Sequence, residues 1–261
     1  MKKLLSYFRI YLLDTLTYRG DVLLFTISGI AQPLINIMIW LSVSGYAATP
    51  FSQAEFVKYF LLVMVIGTWT SAWAGVFVSR DIRLGNISPF LLKPVSFVYH
   101  QIANNIAEKT IKFVYLLPVV VLLFFVFNIT LFSFNFLILP VLLLILFAST
   151  IMLFVVDMCI GFAAFWLDDS EALFDFFGIG MFFFSGRFIP LMLMPEAIQR
   201  ISIILPFRYM LSFPVELILG KLSNQDIAIG MAIQLMWLMA LVVLYRSLWI
   251  KGIKRYSAVG A

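Results

Sequence analysis

An ionisable side chain inside a long apolar run is costly to hold in lipid and therefore marks a candidate functional position. Asp157, in Phe154-Val155-Val156-Asp157-Met158-Cys159, is the clear instance in this sequence. Two chemistries fit a carboxylate there: lining a substrate path, together with Trp166, or taking part in proton coupling. A helix-packing hydrogen bond to a hydroxyl of a neighbouring helix, for instance Thr70 or Ser71, is the third and preferred reading. Asp168, Asp169, Glu171 and Asp175 gather enough carboxylates for a cation. With no His or Cys beside them they read as a solvated turn, and no metal site is expected. His100 is the only histidine, and it lies far from Ser185-Gly186, where Phe183 removes the Gly-x-Ser-Gly pattern of a serine hydrolase. There is no His-Glu-x-x-His zinc pattern and no Gly-x-x-x-x-Gly-Lys-Ser/Thr phosphate loop. No catalytic residue is expected, and the chain reads as no enzyme. Energy for any active transport then has to come from an ion gradient or from another subunit.

The elements that must position these residues are membrane helices. The 261 residues are 63% hydrophobic and 12% charged, with 28 Phe, against roughly 45–50% and about 25% in soluble domains. Six apolar stretches approach the ~20 residues that cross a bilayer as a helix: Val22–Tyr46, Tyr59–Val78, Ile111–Phe127, Leu137–Phe165, Leu173–Ile189 and Ile227–Leu248. Helices satisfy every backbone group internally, and Pro33, Pro118, Pro140 and Gly161 are tolerable within them. The expected fold is an all-α membrane protein of six spans in one domain, residues 1–261. With the N-terminus inside, thirteen of the 18 Lys and Arg fall on the cytoplasmic side, so both termini are expected there. The net charge of +5 then reflects topology, and no nucleic-acid partner is expected. Cys159 is the only cysteine and forms no intrachain disulfide. Arg9 and Asp14 interrupt the apolar start, so the N-terminus is expected to be retained rather than cleaved as a signal peptide.

Three segments fall outside simple spans. Residues 1–20 place Leu5, Phe8, Leu12 and Leu16 on one helical face, which suits a helix lying in the cytoplasmic interface or an extension of the first span. In the cytoplasmic connection 79–110, Gly85-Asn86 signals a turn and Pro89 and Pro94 bracket a very short helix bearing Phe90, Leu91 and Leu92. Apolar residues on such a helix suit either a docking surface for another protein or a loop dipping into the interface. Between the last two spans, residues 186–226 are apolar but broken by Pro190, Pro195, Pro206, Pro214 and Gly220. Pro195–Leu205 and Phe207–Gly220 are too short to cross, which suits an extracytoplasmic re-entrant helical hairpin.

Taken together, the order of these features resembles the permease subunits of type-2 ATP-binding-cassette exporters, also called type V exporters. The local sequence does so as well. Asp81-Ile82-Arg83-Leu84-Gly85-Asn86-Ile87 and Leu91-Leu92-Lys93-Pro94 look like the family's coupling-helix region. Phe184-Ser185-Gly186-Arg187-Phe188-Ile189-Pro190, Met194-Pro195 and Leu205-Pro206-Phe207-Arg208-Tyr209 look like the small bacterial permeases encoded apart from their ATPase. Leu84 departs from the many relatives with a more polar residue there. The resemblance implies a multi-pass protein of the bacterial cytoplasmic (inner) membrane. It implies a cytoplasmic ABC ATPase dimer that carries the ATP and Mg, and a second permease subunit, identical or related. Arg83, Gly85, Asn86, Pro89, Phe90, Leu91, Leu92 and Pro94 would couple to the ATPase. Ser185, Gly186, Arg187, Pro190, Pro206 and Arg208 would form an extracytoplasmic gate. The implied cargo is hydrophobic or amphipathic and moves outward by alternating access. An ion-coupled secondary transporter using Asp157 is the alternative expectation.

Overall fold

The computed structural model describes residues 2–44, 51–92, 97–127 and 136–256. The helices among them are α1 (Lys2–Thr17), α2 (Arg19–Ser44), α3 (Gln53–Thr70), α4 (Ala74–Arg83), α5 (Ser88–Leu91), α6 (Phe97–Val126), α7 (Leu139–Phe162), α8 (Glu171–Phe184), α9 (Glu196–Ile204), α10 (Pro206–Met210), α11 (Ser212–Ile218) and α12 (Asn224–Arg255). No strand occurs among the described residues. Five helical stretches are long and apolar enough to cross a membrane: 19–43, 53–83, 97–126, 139–165 and 224–255. In the fifth expected span the helix α8 has only 14 residues, fewer than the ~20 a crossing requires.

The second expected span is interrupted. The chain leaves α3 at Ser71, whose ψ of 146° is extended, and α4 begins only after Trp73. α4 presents Ala74, Gly75, Val78, Ser79 and Ile82 inward, a helical period that lays one face along α7. Gly75 and Gly161 let these two backbones touch: a Cβ on Gly161 would stand 2.9 Å from Gly75 Cα. Gly75 makes the close approach, while Ser71 caps α3.

Most of the connection between the second and third spans is helical, because α6 starts fourteen residues before the expected third span, at Phe97. α1 lies along α6. Phe8, Tyr11 and Leu12 turn towards it, whereas Leu5 and Leu16 remain exposed. α12 packs along α7.

Contacts define the two ends of the bundle. At one end, Tyr11 of α1 stacks on His100 of α6 (ring centroids 4.8 Å), and Tyr256, just past α12, donates a hydrogen bond to the Gly85 carbonyl (2.8 Å). α1 and the end of α12 thus share the end that carries α5. At the other end, Lys221 pairs with Glu55 (2.5 Å) where α3 begins. Capping boxes at Ser52/Glu55 and Ser223/Asp226 start α3 and α12 there, each satisfying two otherwise orphaned donors.

Candidate functional site

Asp157 sits where the interrupted helix restarts. The first amides of any helix lack intrahelical acceptors, and Trp73 supplies no side-chain cap to α4. The Asp157 carboxylate, reaching across from α7, accepts the Gly75 N–H at 2.5 Å and stands at the positive end of the helix dipole. Neither expected hydroxyl partner is used. Thr70 Oγ1 donates to Ile66 O (2.9 Å) and Ser71 Oγ to Thr68 O (2.9 Å).

The same break opens a cavity of about 540 Å³ between α2, α3, α4, α6, α7 and α8, within the size range of small-molecule sites. Its apolar wall includes Phe25, Met64, Trp73, Leu153, Phe174 and Phe177. Its charged lining is Lys112, Asp157, Asp175 and Arg187. Lys112 is bound to Glu108 (2.5 Å) and lies 5.5 Å from the centre of the Trp73 ring. Sequence reasoning assigned Lys112, Trp73 and Asp175 no role in a substrate path. The Glu108–Lys112 spacing of four residues, at the edge of an apolar run, was the available signal. Trp166 does not join the cavity. It lies past α7 against Phe165.

The expected gate residues divide between two places. Ser185 is buried and bonds the Met181 carbonyl, closing α8. Gly186 turns the chain with φ +79°, and its carbonyl accepts the Tyr59 hydroxyl (2.8 Å). A Cβ here would also meet Ser212 Cβ at 2.8 Å, so only glycine fits. Arg187 follows, with its carbonyl held by Asn36 Nδ2 (3.0 Å) and its side chain in the cavity wall. Pro190 precedes a short 3-10 turn at Leu191–Leu193.

Pro206 opens α10, whose Arg208 pairs with Glu216 of α11 (2.6 Å). Burial opposes the Arg208 charge, but Glu216 outweighs it and raises the guanidinium above its ordinary pKa. The Tyr209 carbonyl accepts from Ser149 (2.7 Å) and Gln234 (3.0 Å), tying α10 to α7 and α12. The segment from α9 to α11 is thus three short helices, with α10 and α11 packed into the bundle.

At the opposite end, α5 forms as its residues dictate. Gly85 takes φ +78°, Asn86 N–H returns to Asp81 O (2.9 Å), and Pro89 occupies the first turn. Arg83 donates to the Asp168 carbonyl (3.0 Å), and Asp169 accepts the Glu171 N–H (2.8 Å). Among the described residues no three His, Cys, Asp or Glu side chains converge on a point. Phe90 turns back onto His100 (ring centroids 4.5 Å). Leu91 and Leu92 point outward, Leu92 with 88% of its surface exposed. Pro94 lies outside the described residues. The Tyr256 hydroxyl has one proton, which goes to Gly85 O, so Ser88 Oγ (2.8 Å) must be the donor to Tyr256. Tyr256→Phe is expected to remove both bonds, at about 1 kcal/mol each, and to speed hydrogen exchange over residues 84–92.

The profile of the ABC-2 family transporter proteins matches residues 42–260, from the end of α2 through α12. The chain belongs to the ABC-2 transporter family. No match was found among curated proteins. As an ABC-2 permease subunit it is a multi-pass membrane protein of a transport system, and membership implies an ATPase partner. The exposed apolar side chains along its long helices, such as Met38 and Phe125, face lipid in that setting.

Proposed function

We propose that this ABC-2 permease is the membrane-spanning subunit of an ATP-driven exporter of hydrophobic or amphipathic molecules. In this reading six segments cross the bacterial cytoplasmic membrane with both termini inside. α5 seats in a separate ABC ATPase dimer, which holds the ATP and Mg, and a second permease subunit, identical or related, completes the path. α9 to α11 re-enter the outer leaflet and gate it.

The observation that carries this reading is α4. Its start borders the cavity, at the preceding Trp73 and at Val76, and its last residue lies two residues before the Gly85 turn into α5. Its ten residues amount to about 15 Å of helix, clamped to α7 by Gly75 and Gly161. A displacement of α5 by the closing ATPase therefore reaches the cavity as a rigid shift, because a closely packed helix pair transmits strain. ATP drives the change by binding one state better than the other.

The six-span count is supported by how α8 is tethered. Ser170, just before it, bonds Ser79 (2.6 Å) near α5, while Gly186 and Arg187, just after it, bond Tyr59 and Asn36. Arg80, Arg83, Lys251, Lys254 and Arg255 cluster at the α5 end, which supports a cytoplasmic position for that end.

Co-purification from the native host tests the proposal. A stoichiometric ABC ATPase is expected with the wild-type chain, and the Leu91→Asp/Leu92→Asp variant is expected to fold but to lose both the ATPase and transport. A wild-type chain that purifies alone, folded, would shift the reading to the ion-coupled transporter. Unchanged coupling in the double variant would remove α5 as the docking element.

A further inference from the structure

The four charged residues of the cavity are not equally engaged. Lys112 has Glu108, and Asp157 has the Gly75 amide. The Arg187 guanidinium has no hydrogen-bond or ion-pair partner among the described residues; only its main-chain carbonyl is bonded, by Asn36. Arg187 keeps an exposed surface and lines the cavity beside its apolar walls. An unpaired guanidinium at the wall of a largely apolar cavity leaves its N–H donors free for an anion. The guanidinium's planar fork suits a carboxylate, sulfonate or phosphate.

The position is built rather than incidental. Gly186, fixed by its positive φ and by Tyr59, sets where Arg187 leaves the backbone, and Asn36 holds the next carbonyl. Asp175 lies nine residues before the end of α8, about 13 Å along its axis, and forms no ion pair with Arg187. The wall offered to the rest of a ligand is aromatic and aliphatic.

We propose that Arg187 receives the anionic group of an amphipathic substrate whose apolar body lies against Phe25, Trp73, Phe174 and Phe177. This deepens the permease reading and rests on it, since it names the charge of the cargo. Carboxylate, sulfonate and phosphate headgroups share the required chemistry, whether they come from a soluble amphiphile or from a lipid.

The test is equilibrium binding of radiolabelled laurate to the full chain, with any ATPase that accompanies it, in phosphatidylcholine nanodiscs, with protein-free discs subtracted. Arg187→Gln is expected to weaken laurate binding about tenfold to a hundredfold, as for loss of a charge-assisted hydrogen bond. Arg187→Lys is expected to keep part of it. Dodecyl sulfonate should displace laurate from the wild type, and dodecanol should not. Phosphatidylglycerol in the disc separates the sources: competition with laurate assigns the site to a lipid headgroup, and none assigns it to a soluble amphiphile, either of which supports the anion site. Unchanged binding in a folded Arg187→Gln, or equal displacement by dodecanol, overturns the proposal. If Arg187→Gln does not fold, the displacement series on the wild type decides. Laurate binding needs no ATPase, so failure here and failure of the exporter reading are seen in different experiments.

Discussion

Gly161→Leu is expected to abolish transport and reduce the yield of folded permease to background. A Cβ at residue 161 would lie 2.5 Å from the Gly75 carbonyl oxygen and 2.9 Å from Gly75 Cα. Both obstacles are backbone, so no rotamer change relieves them. Overpacking of a core typically costs about 1–3 kcal/mol where side chains can shift, and here the whole of α4 has to move instead. That movement would pull Gly75 N–H from Asp157 and Ser79 from Ser170, which are bonded at 2.5 and 2.6 Å. Gly161→Ala should fall between the wild type and Leu. Gly20→Ala, at a site with nothing within 4 Å of the added carbon, should behave as wild type. Fluorescence-detected size exclusion, thermal melting and flux into inverted vesicles measure the series. A functional Gly161→Leu would show that α4 and α7 slide freely, which removes the rigid link from α5 to the cavity.

Much of this architecture is legible in the chain. Long apolar runs without charge require membrane helices, and Gly85, Asn86 and Pro89 specify a turn followed by one helical turn, as observed. What escaped was set by contacts between distant residues. The run Tyr59–Val78 contains no proline, and its break at 71–73 depends on an acceptor supplied from α7, eighty-two residues later. The orientation of α1 was only half readable, because Tyr7 and Tyr11 compete with its leucines for the packed face by stacking on His100. Arg187 reads as part of an extracytoplasmic connection, and only the Gly186 turn against Tyr59 and Ser212 brings it to the cavity. Trp166 shares the sequence neighbourhood of Asp157 but not its helix face or its environment.

Asp157→Ala is expected to cost more stability than Asp157→Asn, and the pair of variants decides what the carboxylate does. Asn retains an oxygen in place to accept the Gly75 N–H. Ala leaves that buried amide without a partner, a loss of about 1–3 kcal/mol, and removes a cap whose loss at ordinary helix starts costs about 0.5–2 kcal/mol. Without the cap, the first turn of α4 loses the acceptor that holds it at the break, and the cavity loses the edge formed by Ser71, Ala72 and Trp73. Melting temperature and transport should therefore fall together, in the order wild type, Asn, Ala. A carboxylate that carries a proton with each cycle predicts something different. Asn cannot bind and release that proton, so Asp157→Asn would melt as wild type yet transport nothing. Flux measured in vesicles supplied with ATP, with the proton gradient collapsed and the wild type run beside the variant, separates the two. Retained flux in Asp157→Asn under those conditions assigns Asp157 to capping α4. Complete loss of flux in a fully folded Asp157→Asn, together with loss of wild-type flux once the gradient is collapsed, would instead make the residue part of the ion-coupling chemistry and would count against an ATP-driven cycle.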